Sequence, residues 1–217
     1  MYQLRLKGVI AAIVTPLDGK GDPDDKAFCD LASWLLANGC DGLNVLGTTG
    51  EATSFSLGQR VKLMQAVAAS GLPMARMMVG TGAAATQDAV TLTRCAADCG
   101  FAGALVLPQF YYKNVPGDGV VRYIGLIAEA TGNAPVPLYL YNFPAMSGVP
   151  YTVPLVKRLM DQFGGRIAGL KDSSGDLDYA RAVAGISAGL AVFPGAKQAS
   201  AKRGPACSPA VFRPPPI

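Results

Sequence analysis

The chain contains no histidine. That removes the Ser-His-Asp and Cys-His relays, and with them the side chain that most often moves protons near neutral pH. Acid–base work must then fall to Tyr, Lys, Asp, Glu, Thr or the substrate itself. The five cysteines, Cys29, Cys40, Cys95, Cys99 and Cys207, include no Cys-x-x-Cys pair. With no histidine to complete a ligand set, no metal site is expected. Cys95 and Cys99 stand one helical turn apart; a metal pair is one reading, and two small core hydrophobes is the plainer one. An odd number of thiols without a disulfide framework suits a reduced, cytoplasmic protein. No apolar run approaches the ~20 residues of a membrane span. The opening MYQLRLKGVIAAIVTP lacks a small-residue cleavage site, so no signal peptide is expected. Acidic residues are absent from the last segment, where Lys197, Lys202, Arg203 and Arg213 lie. These four account for the whole formal charge of +4, and the rest of the chain is neutral. No basic face therefore argues for nucleic acid.

What is present is a globular composition. Half of the 217 residues are hydrophobic, 16% are charged and the mean hydropathy is +0.28. Short apolar runs alternate with longer amphipathic stretches. Strands are expected at 9–14, 42–46, 75–79, 103–107, 137–141, 166–170 and 190–193. Helices are expected at about 23–38, 56–70, 85–99, 117–131, 152–163 and 176–187. Continuous apolar strands alternating with helices indicate an α/β fold, a parallel sheet covered by helices. Asp22-Pro23 is expected to open the first helix with Pro at its first position. Gly39, Gly71 and Gly100 are expected to close helices in a left-handed conformation.

The glycine-rich and polar turns, among them GTTGE, GTGAAAT, PQFYYKN, NFPAMSG and KDSSGD, come after the strand C-termini. Ligands bind on that side both in (β/α)8 barrels and in open doubly wound sheets, so periodicity alone does not separate the two folds. Residues 1–193 are expected to form the barrel or sheet domain. Residues 194–217, PGAKQASAKRGPACSPAVFRPPPI, have no apolar period and are expected to be an irregular, Pro-rich tail.

Several residues could carry chemistry. Lys171 directly follows the apolar run RIAGL. An amine whose stem sits in a dry, walled site is more readily neutral, and the neutral amine is the form that attacks a ketone. A surface lysine at a strand end is the plainer alternative. Tyr141, in YNFP, ends the preceding strand and could pass a proton to and from a carbinolamine oxygen; a packed aromatic cap is the alternative. Gly47-Thr48-Thr49-Gly50 follows the second strand. Its glycines could turn backbone N–H groups toward an anion. Gly80, Gly82 and Ala85 spell G-x-G-x-x-A, the competing dinucleotide-binding pattern. No acidic residue ends the next strand to hold a ribose, because 103–107 closes in Leu-Val-Leu.

Taken in order and spacing, GVIAAIVTPLD, GTTGE, YYK, YNFP and GLKDSSGD resemble the dihydrodipicolinate synthase / N-acetylneuraminate lyase family of Schiff-base aldolases. The likeness runs from about residue 7 to 195. It implies a (β/α)8 TIM barrel, a homo-oligomer (tetramer or dimer), a small 2-oxo acid substrate such as pyruvate, and no cofactor. Lys171 matches the Schiff-base lysine and Tyr141 the proton-transfer tyrosine. Thr48 matches the threonine linking that tyrosine to a second one, which Tyr112 matches and which in many members reaches the site across a subunit interface. Thr49 matches the residue binding the substrate carboxylate, with the backbone of Gly47 and Gly50 beside it.

Three departures stand out. Met146 occupies the place where dihydrodipicolinate-forming members usually carry arginine, and Asp172 stands where glutamate is common. Both imply a lyase or aldolase whose second product is less charged. The likeness stops near Gly195, and the residues beyond it resemble out-of-frame sequence. The expected scaffold is therefore a barrel incomplete at its C-terminus, without the last strand and C-terminal helices. A (β/α)8 barrel typically takes about 250 residues. A Schiff-base lyase is expected; a catalytically inactive remnant of that family and a nucleotide-binding α/β protein are the alternatives.

Overall fold

The computed structural model describes residues 6–133 and 135–195. Residues 196–217, most of the expected tail, lie outside the described residues. The described residues form seven strands: β1 (Ile10–Ala12), β2 (Gly42–Val45), β3 (Met77–Gly80), β4 (Gly103–Val106), β5 (Leu138–Asn142), β6 (Ile167–Asp172) and β7 (Ala191–Pro194). Between them run α1 (Asp25–Ala37), α2 (Leu57–Ala69), α3 (Thr86–Asp98), α4 (Gly117–Ala130), α5 (Pro144–Ser147), α6 (Val153–Phe163) and α7 (Leu177–Ala184). Every strand pairs in parallel with the next in sequence, giving the order β1-β2-β3-β4-β5-β6-β7. That order separates the two folds left open by periodicity. A doubly wound sheet reverses direction at a switch point, whereas a barrel adds each strand beside the last. The described residues form an incomplete TIM-like barrel, with β1 and β7 as its open edges.

Two apolar layers result from strand alternation. Leu43, Val45, Met77, Val79, Ala104, Val106, Leu138 and Leu140 face the helices and pack on Phe28, Leu63, Leu92, Ile124 and Leu159. The alternate positions Met78, Leu105, Tyr139 and Tyr141 face inward with Leu6 and Ala168.

The first helix starts later than expected. Asp24 accepts from the Ala27 backbone N–H and is the N-cap, so Pro23 lies outside the helix. The Asp24 N–H is drawn to the Pro16 carbonyl, and Pro23 bridges to Leu17, which holds that segment extended. Gly39, Gly71 and Gly100 take φ of +96°, +80° and +75°, the left-handed values expected at helix ends.

Gly80 and Gly82 have a packing reason that needs no nucleotide. A Cβ on Gly80 would stand 2.0 Å from the Leu46 carbonyl oxygen, and one on Gly82 would stand 2.7 Å from the Leu107 nitrogen. The buried Arg60 guanidinium of α2 donates to the Gly80 and Gly82 carbonyls at 2.9 and 3.3 Å. Burial lowers its pKa to about 10, which still leaves it charged at neutral pH. A buried cation thus ties α2 to the turn after β3.

Candidate active site

The site is assembled from the C-terminal ends of β2, β5 and β6. Its first part is the turn Gly47–Gly50. Thr15 Oγ1 donates to the Gly50 carbonyl at 2.8 Å, and the Glu51 N–H returns to the Thr48 carbonyl at 3.1 Å. Two non-glycine residues bracket the turn in the left-handed region, Leu46 at φ +50° and Glu51 at φ +51°. Each costs about 1–2 kcal/mol, and such strain collects at ligand sites. Among the described residues no acceptor takes the Thr48 or Thr49 N–H. Two adjacent donors turned away from the protein's own carbonyls suit a carboxylate.

The second part depends on a bulge. On β6, Ile167 pairs with Leu138 but Gly169 pairs with Tyr139, so Ala168 is an extra residue. Ile167 and Leu170 both face the helices, while Ala168 faces inward. Simple alternation from Ile167 would send Leu170 inward and Lys171 out into the helix layer. The extra residue reverses the parity, and Lys171 pairs with the inward-facing Tyr141. Gly169 makes room, since a Cβ there would lie 2.4 Å from the Ala191 carbonyl oxygen and 2.7 Å from the Tyr139 ring.

Lys171 Nζ sits 4.3 Å from the centroid of the Tyr141 ring. No carboxylate lies within ion-pair distance of it among the described residues. The Tyr141 hydroxyl and Thr48 Oγ1 are 3.2 Å apart, and either can donate. Three of the expected residues, Thr48, Tyr141 and Lys171, are therefore brought together from three strands. Thr49, Gly47 and Gly50 adjoin them on the same turn. Tyr112 is not drawn in. It is 75% exposed, and its ring meets Tyr111 edge-on at 5.1 Å between centroids. Met146, on the short α5, is also exposed. Lys113 spans from the β4–α4 loop to α5, donating to the Phe110, Met146 and Ser147 carbonyls at 2.5, 3.4 and 3.3 Å.

Behind the site stands a pair that the sequence pattern does not mark. Asn142 Nδ2 donates to Asp172 Oδ1 at 2.8 Å, joining β5 and β6 one residue past Tyr141 and Lys171. Asp172 also accepts from the Ser174 N–H and hydroxyl at 3.1 and 2.9 Å, and Asn142 Oδ1 accepts the Tyr151 N–H at 3.0 Å. Both side chains are buried, Asp172 to 1% exposure. The signal for them was Asp172's own position beside Lys171, but the partner lies 30 residues away. Asp172→Ala would strand the Asn142 amide and the Ser174 donors, so a loss of about 2–3 kcal/mol in urea unfolding is expected. An unchanged midpoint would show the pair to be dispensable.

Cys95 and Cys99 lie with their sulfurs 3.8 Å apart on α3. Burial, with the neighbouring Cys99 thiol adding to it, pushes the Cys95 thiol up to about 12. Both remain neutral thiols near pH 7, packed against the helix-facing core. Among the described residues no group of three or more potential metal ligands is gathered, and no helix is long and apolar enough to cross a membrane.

Residues 5–205 match the profile of the Dihydrodipicolinate synthetase family. The chain belongs to that family. It is 32% identical over 197 residues to an uncharacterized DapA-like lyase of Chloroflexus aurantiacus. It is 40% identical over 153 residues to the 4-hydroxy-tetrahydrodipicolinate synthase of Synechococcus sp. strain CC9605. The alignments cover 90% and 70% of this chain but only 65% and 50% of those relatives. Among solved structures, the chloride-inhibited dihydrodipicolinate synthase of Acinetobacter baumannii, complexed with pyruvate, superposes with a TM-score of 0.80 at 31% identity. That superposition covers 90% of this chain and 65% of the other. The family membership accounts for the barrel and leaves the reaction to be argued from the residues.

Proposed function

We propose that this chain is a Schiff-base-forming lyase or aldolase acting on pyruvate or another 2-oxo acid, with Lys171 as the amine. The observation that carries this is the placing of Lys171 Nζ 4.3 Å over the Tyr141 ring, with the Tyr141 hydroxyl 3.2 Å from Thr48 Oγ1. A lysine amine without a carboxylate partner, next to a phenol that is itself hydrogen-bonded, is what imine formation requires. The Thr48 and Thr49 N–H groups and the Thr49 hydroxyl would hold the carboxylate. That fixes C2 over the amine and supplies the entropic part of catalysis.

The amine adds to C2, and Tyr141 delivers a proton to the oxygen as the carbinolamine forms. The phenolate takes back a proton from the adduct's nitrogen and passes it to the hydroxyl, which leaves as water, so the protonated imine forms beside the Tyr141 phenolate. The imine withdraws electrons from the C3–C4 bond, which breaks or forms through an enamine. Tyr141 can recover its proton through Thr48. Met146 offers no charge where a second carboxylate would need one, and Lys113 nearby is engaged by three carbonyls. This favours a second substrate or product less charged than aspartate semialdehyde. The 40% identical Synechococcus relative is a synthase, so the distinction has to be measured. Faster condensation of pyruvate with aspartate semialdehyde than cleavage of any 2-oxo acid would reverse it.

The chain is further proposed to work as a homo-oligomer, in which the exposed Tyr112 meets Thr48 of another copy. Sedimentation of the purified protein as a monomer would remove that part. The open β1 and β7 edges favour one second reading, an inactive remnant of the family. Incubation with pyruvate, borohydride reduction and peptide mass analysis separates the two. A reduced adduct on Lys171 is expected, and no adduct on folded protein leaves ancestry alone.

A further inference from the structure

β2 sends one polar side chain into the barrel. Leu43 and Val45 face the helices, so Asn44 between them faces inward, paired with Ala12 of β1 and Met78 of β3. Met78 belongs to the inner apolar layer. Asn44 is 2% exposed, and neither its Oδ1 nor its Nδ2 has a hydrogen-bond partner among the described residues. Its Nδ2 lies against the backbone of Gly47, where a Cβ would come within 2.4 Å. The amide is therefore lodged directly under the turn that carries Thr48 and Thr49.

A buried amide with no partner is costly, and in a native protein each such group calls for an explanation. The Asn44 side chain bonds to none of the described residues, so no hydrogen bond among them accounts for the amide. We infer that Asn44 is a substrate-binding residue whose amide takes up an oxygen entering with the 2-oxo acid. This rests on the Schiff-base reading above. The amide offers one donor face and one acceptor face, so the matching group is a hydroxyl or water that both accepts and donates. In the reaction such an oxygen is present at the carbinolamine and as the water released from it. It would be held by the substrate oxygen itself or by one water carried in beneath it. A residue that costs stability when empty and repays it when the site is filled is typical of a binding position.

The test compares wild type with Asn44→Leu, a near-isosteric apolar side chain, in full-length protein. Two quantities are read: Tm without ligand, and the pyruvate concentration giving half-maximal borohydride trapping. The expected result is opposite movement, with Tm rising by about 2–6 °C while half-maximal trapping needs at least about tenfold more pyruvate. Asn44→Ser, which keeps a donor and an acceptor on a shorter stem, should trap at a concentration between the two. A lower Tm, or failure of Asn44→Leu to fold, would show the amide to be structural and overturn the inference. A higher Tm with unchanged trapping would overturn it as well. Wild type that forms no adduct would instead overturn the Schiff-base reading, and this inference with it.

Discussion

Lys171→Arg is expected to abolish pyruvate trapping while the protein stays folded. Arginine keeps the positive charge and much of the apolar stem, so contact with the Tyr141 ring survives. It stays protonated at any accessible pH and cannot add to a carbonyl. Removing a covalent nucleophile costs on the order of 10⁴-fold or more in turnover, because no neighbouring group can take its role. Lys171 forms no ion pair among the described residues, so its loss should leave the unfolding midpoint nearly unchanged. Reduction with borohydride and then peptide mapping checks both points. Trapped pyruvate in the variant, on Lys113 or any other lysine, would show that Lys171 is not the amine.

The alternation of apolar strands and amphipathic helices was legible because a parallel strand covered on both faces reads as an unbroken apolar run. All seven expected strands are present among the described residues, with ends displaced by at most two residues. The choice between barrel and doubly wound sheet was not legible in the periodicity and came only from the ordered motifs that resemble the family. It depends on which strand pairs with which, and a single strand carries no record of its neighbour. The short α5 was missed because four residues cannot display a helical period. Pro23 was misplaced for a related reason. Asp24 and Pro23 are both good openers of a helix, and only the bond from Asp24 to Ala27 shows which position is the cap.

At the site, residue types and order were legible, and facing was not. RIAGLK reads as a strand with a lysine at its end, yet strict alternation from Ile167 would put that lysine among the helices. The Ala168-Gly169 bulge corrects its aim, and an interior glycine is the one local hint of it. Asp172 was noticed only as a departure beside the lysine; its bond to Asn142 escaped notice because the register of two strands sets it. Asn44 escaped for the opposite reason. In sequence it is one polar residue in an apolar run, and only the absence of a partner among the described residues separates it from a satisfied core amide.

Tyr141→Phe and Thr48→Val should separate proton transfer from shape. Phenylalanine preserves the ring that packs under Lys171 and beside Phe143, whose centroid is 5.9 Å away, but removes the hydroxyl. The binding of pyruvate should change little, while the single-turnover rate of adduct formation falls by about 10²–10⁴-fold, the usual range for a lost acid–base group. Thr48→Val keeps the volume and removes the 3.2 Å bond to that hydroxyl, so a smaller fall of about tenfold is expected. The informative case is the pair together. If Thr48 acts only through Tyr141, Thr48→Val has nothing left to remove once the phenol is gone. The double variant should then be no slower than Tyr141→Phe alone. Multiplied losses would mean that Thr48 has its own contact with the substrate. A trapping rate unaffected by Tyr141→Phe would mean that another group, or water, moves the proton.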